Sequence, residues 1–200
     1  MKNFDTALHV RGESVFIDDM PEFDRQLHLA VFFSPVAHGT ITKLDLSAAQ
    51  AAPGVVRVIT AADIPGENQI GGIFPDEPLL AEREVHFLGD PIAIIAATSR
   101  EAAYAARKLV RVEIEALPVI TDPREAFKQG KLIQPPRTFA LGDVDKAWAD
   151  CDFVLDGRAD NGGQEHFYLE TQIAVAVPQE TLEIKVFSST QSPTVVQKAV

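Results

Sequence analysis

The 200-residue sequence has little sulfur: one cysteine, Cys151, and two methionines. A single thiol excludes an internal disulfide, and no Cys or His spacing suggests a zinc or iron–sulfur motif. With no base beside it in sequence, Cys151 reads as a buried thiol rather than a nucleophile. Positive charge is also scarce. Eighteen Lys and Arg against 29 Asp and Glu give a net charge of −11 and a pI near 4.8, which excludes the basic face that nucleic-acid phosphates require. Long apolar runs are missing: the stretch 91–97 falls well short of the ~20 residues that cross a bilayer. The N-terminus carries Asp5 and no apolar core region, so no signal peptide is expected, and the cytoplasm is the expected location. No internal repeat or low-complexity tract is evident.

What is present is periodicity in a chain that is 46% hydrophobic, long enough for one good core or two small ones. A short strand is predicted over 13–17, closed by Asp18, Asp19 and Pro21. The strand 26–33 follows, with Leu27, Leu29, Val31 and Phe33 on one face and His28, a packing histidine, on the other with Ala30 and Phe32. In the loop 34–40, His38 before Gly39 either touches a ligand or fixes a turn. A strand over 41–46, a short helix over 47–52 stopped by Pro53-Gly54, and a strand over 55–60 come next. After one helical turn at 61–64, the chain to Arg83 is rich in Gly, Pro and Asn without periodicity, a loop length kept for function or partner contacts. A strand over 91–98, a helix capped by Ser99 and running to Val110, and a strand over 111–115 predict a right-handed crossover on a mixed sheet. Residues 1–117 thus read as one α+β domain. Residues 118–152 read as a linker, extended at Gln134-Pro135-Pro136 and carrying a short helix in which Trp148 is a core anchor. A second domain is expected over 153–200.

That second domain holds the stretch on which a functional reading turns. GGQEHFYLET (162–171) leads into an apolar run at 173–177, a turn at 178–181 and a strand at 182–187. In this strand Leu182, Ile184 and Val186 are predicted to face the interior, and Glu183 and Lys185 the solvent. Ser188-Ser189-Thr190-Gln191 ends the strand, and Ser192-Pro193 supplies the N-cap and first position of a helix. Thr190 and Gln191 therefore stand at a strand-to-helix junction, which serves either as a ligand site or as an ordinary cap.

Six segments in order, GESVFIDD (12–19), SPVAHGTI (34–41), PGVVRVITAADIPGEN (53–68), FLGDPIAIIAA (87–97), GGQEHFYLETQ (162–172) and SSTQSP (188–193), resemble the molybdenum hydroxylases of the aldehyde oxidase–xanthine dehydrogenase family, and within it the molybdopterin-binding subunit. One departure is Asp90, where the family more often has glutamine, at a position read as structural. The resemblance implies an α+β chain: an α/β-hammerhead domain followed by the truncated start of the molybdenum-cofactor-binding domain. It implies hydroxylation of purines or aldehydes with water-derived oxygen by a molybdenum-molybdopterin cofactor. Electrons would then pass to 2Fe-2S clusters and FAD in partner subunits, and on to NAD. Gln191 takes the place of the family glutamine that hydrogen-bonds an oxygen ligand of molybdenum, so it is the expected catalytic residue. It is also an expected cofactor contact, together with Thr190, Gly163 and Gln164. An amide suits that task because it donates a hydrogen bond without changing charge. The family's glycine-rich loop, its substrate-binding arginine and its C-terminal glutamate base would lie beyond Val200, so this chain alone is expected to be an inactive N-terminal piece that needs the remainder of the subunit.

Two other readings stay in view. A non-catalytic hammerhead module would hold partner subunits through the loop 64–83, whose Ile70, Ile73, Phe74, Leu79 and Leu80 invite contact. A hydrolase built on Glu165 and Glu170 is disfavoured, since strand alternation puts the two carboxylates on opposite faces. His166, Tyr168 and Glu170 share a face but supply too few ligands for a closed metal site, and no metal ligand is assigned.

Overall fold

The structure, a computed structural model, describes residues 6–166 and 172–200. Met1–Val119 with Glu170–Val200 forms one compact unit and Ile120–Leu169 a second. In the first, helix α1 (Thr6–Arg11) precedes strands β1 (His28–Phe33) and β2 (Gly39–Asp45), helix α2 (Ser47–Gln50) and strand β3 (Val55–Thr60). Strands β4 (Glu84–Val85) and β5 (Pro91–Ala97), helix α3 (Arg100–Arg107) and strand β6 (Arg111–Ala116) follow. The second unit holds helices α4 (Pro123–Lys128) and α5 (Val144–Ala149). Strands β7 (Ala174–Pro178) and β8 (Ile184–Ser188) and helix α6 (Pro193–Ala199) belong to the first unit again. No helix among the described residues is long and apolar enough to cross a membrane.

The strands form two three-stranded sheets, ordered β1-β5-β3 and β4-β2-β6, and a separate β7-β8 hairpin, with antiparallel pairing throughout the described residues. Strand β5 and strand β6 therefore lie in different sheets, which corrects the expected crossover on a mixed sheet. The reason is visible in their sequences. The run PIAIIAA makes β5 a central strand covered on both faces, whereas β6 alternates Val112 and Ile114 with Glu113 and Glu115, the pattern of a strand with one covered face. The segment 13–17 is not a strand either: Asp19 accepts the Phe16 N–H at 3.0 Å and closes a 3-10 turn over Ile17–Asp19.

The core runs through both sheets. Ala49, Val58, Ala93, Ile95, Ala106 and Val110 form one buried cluster and Ala81, Val85 and Ile92 another, with Phe32 and Leu44 packed against both. Helix α3 lies on β1 and β5. Its buried face is alanine: Ala103 and Ala106 meet a sheet surface of Ala30, Ala93 and Ala97, small enough for close approach. On β1 it is the His28, Ala30 and Phe32 side that packs inward, and Leu29 stays exposed. The helix begins where Ser99 Oγ accepts the Ala102 N–H at 3.1 Å. Gly54 packs against its first turn: with φ of +80°, a Cβ there would come within 3.0 Å of the Ala102 Cβ, which leaves little room for a side chain.

The β7-β8 hairpin differs from expectation in which face it covers. Leu182 does not join the strand; with φ of +66° it ends a 3-10 turn, fully exposed, and Ile184 is exposed too. Half-buried Val175 and Val177 sit opposite Phe187 and Lys185, and Phe187 stacks on Phe23 at 6.0 Å between centroids. Phe23 thus covers the Phe187 side of the ribbon, the side that also carries Val175 and Val177.

In Ile120–Leu169, helices α4 and α5 are capped by Asp122 and Asp143, which accept backbone N–H groups. No described residue of this unit is buried. Trp148, expected to be a core anchor, is instead exposed; with Leu141, Val144, Ala147 and Cys151 it lines a shallow depression of about 330 Å³. Cys151 is likewise exposed rather than buried, its thiol donating to the Ala147 carbonyl at 3.1 Å. Neither side chain has a second layer to pack against.

Two outcomes test these local devices. Ser99→Ala should cost about 1 kcal/mol, read as a lower urea midpoint at unchanged slope. Asp63 accepts the Thr60 N–H, the Arg57 guanidinium and the Thr60 hydroxyl, which in that order hold its carboxyl below the ordinary aspartate value. Its contribution is therefore present above the unfolded value, about pH 4, and is lost as pH falls through the lower folded value. The stability difference between the parent chain and Asp63→Asn should be flat above about pH 4 and shrink only in more acid solution.

Candidate functional site

Pairing of β7 with β8 extends one step past the strands. Ser189 N–H donates to the Ile173 carbonyl at 3.0 Å, and Ser189 Oγ accepts the Ile173 N–H at 3.1 Å. Beyond this clamp the chain turns. Thr190 Oγ1 accepts the Ser192 N–H at 3.0 Å, bending the backbone around Gln191 and delivering it to Pro193, the first residue of α6. Ser192 holds the N-cap position as expected, yet its hydroxyl makes no cap bond.

Gln191 is exposed between the clamp and the helix, and its amide has no hydrogen-bond partner among the described residues. A neutral side chain with two N–H donors and one carbonyl acceptor is thus left available at the junction. Thr190 is exposed beside it. Gly163 and Gln164 lie in the other compact unit, in an exposed segment without regular structure. Nearby, His166 N–H donates to Glu165 Oε1 at 3.1 Å, while Tyr168 and Glu170, which the alternative cluster requires, lie outside the described residues.

A second constellation was not visible in sequence. His38, Glu84 and His86 come together at the β2-β4 edge of the first unit, their ligand atoms all within 4.8 Å of one another. His38 Nδ1 is 2.8 Å from the Pro118 carbonyl and Nε2 is 2.8 Å from Glu84 Oε1. Both contacts raise the His38 pKa, the Pro118 carbonyl first, against a smaller opposing effect of desolvation. His86 Nδ1 stands 3.8 Å from the same Glu84 oxygen, and the two imidazoles stack at 6.2 Å. His38 therefore fixes no local turn; it ties together segments 46 and 80 residues away. The signal that would have found it is strand register, since Gly39 opposite Val85 and Thr40 opposite Glu84 put His38, Thr40, Glu84 and His86 on one face.

Comparison with known proteins bears on both units. The family described as aldehyde oxidase and xanthine dehydrogenase, a/b hammerhead domain, matches residues 11–118, and the molybdopterin cofactor-binding domain matches residues 127–200. Aldehyde oxidase 4 of Mus musculus is 43% identical over 194 residues, covering 96% of this chain and 14% of that protein. Xanthine dehydrogenase of Drosophila pseudoobscura pseudoobscura is 41% identical over 192 residues, 94% of this chain and again 14% of the relative. Among solved structures, the aldehyde oxidoreductase from Desulfovibrio gigas superimposes with a TM-score of 0.80 at 28% identity, over 92% of this chain and 23% of that one. Quinoline 2-oxidoreductase from Pseudomonas putida 86 gives 0.79 at 28% identity, over 98% and 27%. The chain thus spans about a seventh of the curated relatives it matches.

The role of Thr190 in shaping the junction can be read directly. Thr190→Val removes the acceptor for the Ser192 N–H and should speed hydrogen exchange at that amide. Global stability should fall by about 1 kcal/mol or less, because the bond is exposed.

Proposed function

Because the chain belongs to the aldehyde oxidase and xanthine dehydrogenase family, and carries its hammerhead domain and the start of its molybdenum-cofactor-binding domain, we propose that it is the N-terminal portion of a molybdenum hydroxylase subunit acting on a purine or an aldehyde. In this reading residues 1–117 are the hammerhead, 118–152 a connection and 153–200 the opening of the cofactor domain. When bound, the molybdenum-molybdopterin cofactor supplies the redox centre and the oxygen-transfer chemistry.

The observation that carries the proposal is the exposed, unengaged amide of Gln191 at a junction held on one side by the Ser189 clamp and on the other by α6. This donor set fits an oxygen-rich ligand: a neutral amide can point toward developing negative charge, preorganised and with no proton of its own to lose. Thr190 holds the bend that presents it, and Gly163 and Gln164 offer further neutral donors to the cofactor. Electrons leave toward iron–sulfur and FAD-binding subunits. The large apolar side chains that Ile120–Leu169 leaves in solvent, Ile133 at 97% and Phe153 at 90% exposure among them, are surfaces for the remainder of the subunit to cover. By itself the 200-residue polypeptide neither completes the cofactor site nor turns over substrate.

One observation favours a purely assembling role for the hammerhead as a second reading. The loop 64–83 is ordered without regular elements: the Asn68 side chain donates to the Leu80 carbonyl at 2.7 Å and accepts the Leu80 N–H at 3.0 Å, while Ile73 stays exposed. Loss of partner-subunit capture when this loop is shortened would support it, and undiminished capture would count against it.

For the first reading, Gln191→Ala in the complete subunit should lower turnover by about a hundredfold, the effect of removing one preorganised donor, with molybdenum content near that of the parent. Turnover and cofactor content falling together would instead make Gln191 a folding residue.

A further inference from the structure

We propose that His38, Glu84 and His86 form a binding site for one first-row divalent cation of the zinc class, clipping strand β2 to strand β4. The site lies wholly in the hammerhead, so it does not depend on the molybdenum reading.

Three features make it a built site rather than a chance meeting of surface groups. First, the carriers are fixed. Fully buried Val85 anchors β4 between Glu84 and His86, so both side chains emerge on the face opposite the core. Buried Asp90 accepts the His86 N–H at 2.9 Å and holds the chain where β4 ends. This also gives Asp90, the departure from the family pattern, its structural role. On the other strand, a Cβ at Gly39 would come within 2.6 Å of the Glu115 carbonyl, so β2 is held tightly against β6 at the residue next to His38.

Second, the inner histidine is already oriented as a ligand. Its Nδ1 faces the Pro118 carbonyl at 2.8 Å, the outer-sphere partner that fixes the tautomer and turns Nε2 toward a metal. Third, the spacing is close to what an ion needs. Bonds of about 2.0–2.1 Å in tetrahedral geometry put ligand atoms about 3.3 Å apart. His38 Nε2 to Glu84 Oε1 is 2.8 Å and His86 Nδ1 to the same oxygen is 3.8 Å, so modest side-chain rotation on either side of that value suffices. The His86 and Glu84 side chains are both partly solvent-accessible, which leaves room for that adjustment. Two imidazoles with one carboxylate select zinc and its first-row neighbours over magnesium or calcium, which prefer all-oxygen shells. Three protein ligands leave a position for water.

The test is titration of the purified chain with zinc against a chelating indicator, with cobalt as a spectroscopic reporter of low coordination number. One ion per chain should bind, and the thermal midpoint of the parent should rise with zinc. His86→Ala and Glu84→Gln should each weaken binding by at least about 10–100-fold, the loss that even an outer-sphere partner commands. His28→Ala, which removes a histidine outside the cluster, should bind as the parent does. No stoichiometric ion in the parent overturns the proposal. So does a His86→Ala chain that melts like the metal-free parent and binds zinc equally well. If His86→Ala does not fold, Glu84→Gln with the cobalt spectrum decides: an unchanged spectrum and affinity would overturn the assignment.

Discussion

Strand β5 is the constraint on which the hammerhead depends. Its seven residues are covered on both faces, and it lies at the centre of its sheet, hydrogen-bonded to β1 on one side and β3 on the other. Its ends also fasten loops: the Pro91 carbonyl accepts the Ala81 N–H at 2.7 Å, and Thr98 N–H donates to the Gly54 carbonyl at 2.8 Å. Because Ala93 and Ala97 are small, α3 can settle on the sheet with its own alanines, and larger side chains at these positions would push the helix away. The same strand places Ile92 in the cluster shared with β4, so the edge that carries Glu84 and His86 is referenced to the centre of the fold.

The second compact unit shows the opposite balance. Its two short helices satisfy their first N–H groups with Asp122 and Asp143, and Lys128 and Lys146 pair with carboxylates along the same helices. These are local interactions worth tenths to about one kcal/mol each, and none replaces a buried face. Capping decides where a helix starts; apolar burial decides whether it persists. The exposed apolar residues in 120–166 therefore show a segment held by its caps and local ion pairs rather than by a buried face of its own.

The sequence made the elements legible where periodicity and punctuation agreed. Strands β1, β2, β3, β5 and β6, the Ser99 cap and the Pro193 start of α6 all follow from alternation, Ser-capping or the Pro53-Gly54 stop. Pairing was less legible, because a strand, a helix and a strand in succession look alike whether the strands share a sheet or part into two. Burial failed where a second layer is missing: Trp148, Cys151 and Ile184 carry apolar side chains that would be buried against a neighbour and are exposed without one. At the junction, the sequence placed Thr190 and Gln191 correctly after the strand, but not that Thr190, rather than Ser192, supplies the side-chain acceptor. The His38 cluster needed strand register, which links residues 46 positions apart and leaves no trace in local spacing.

Charge connects the two sites. A chain carrying −11 repels anions at long range and gathers cations. A neutral donor brings a hydrogen bond to developing negative charge while leaving that long-range charge unchanged. Gln191, Thr190, Gly163 and Gln164 are all neutral, and in the proposed function any cationic anchors for the cofactor come from elsewhere in the subunit. The same field acts with the opposite sign on His38, Glu84 and His86, where a divalent ion would find a carboxylate already held against an imidazole. An acidic surface that is an obstacle for one ligand is an attraction for the other, so the two proposed sites draw on different parts of one charge distribution.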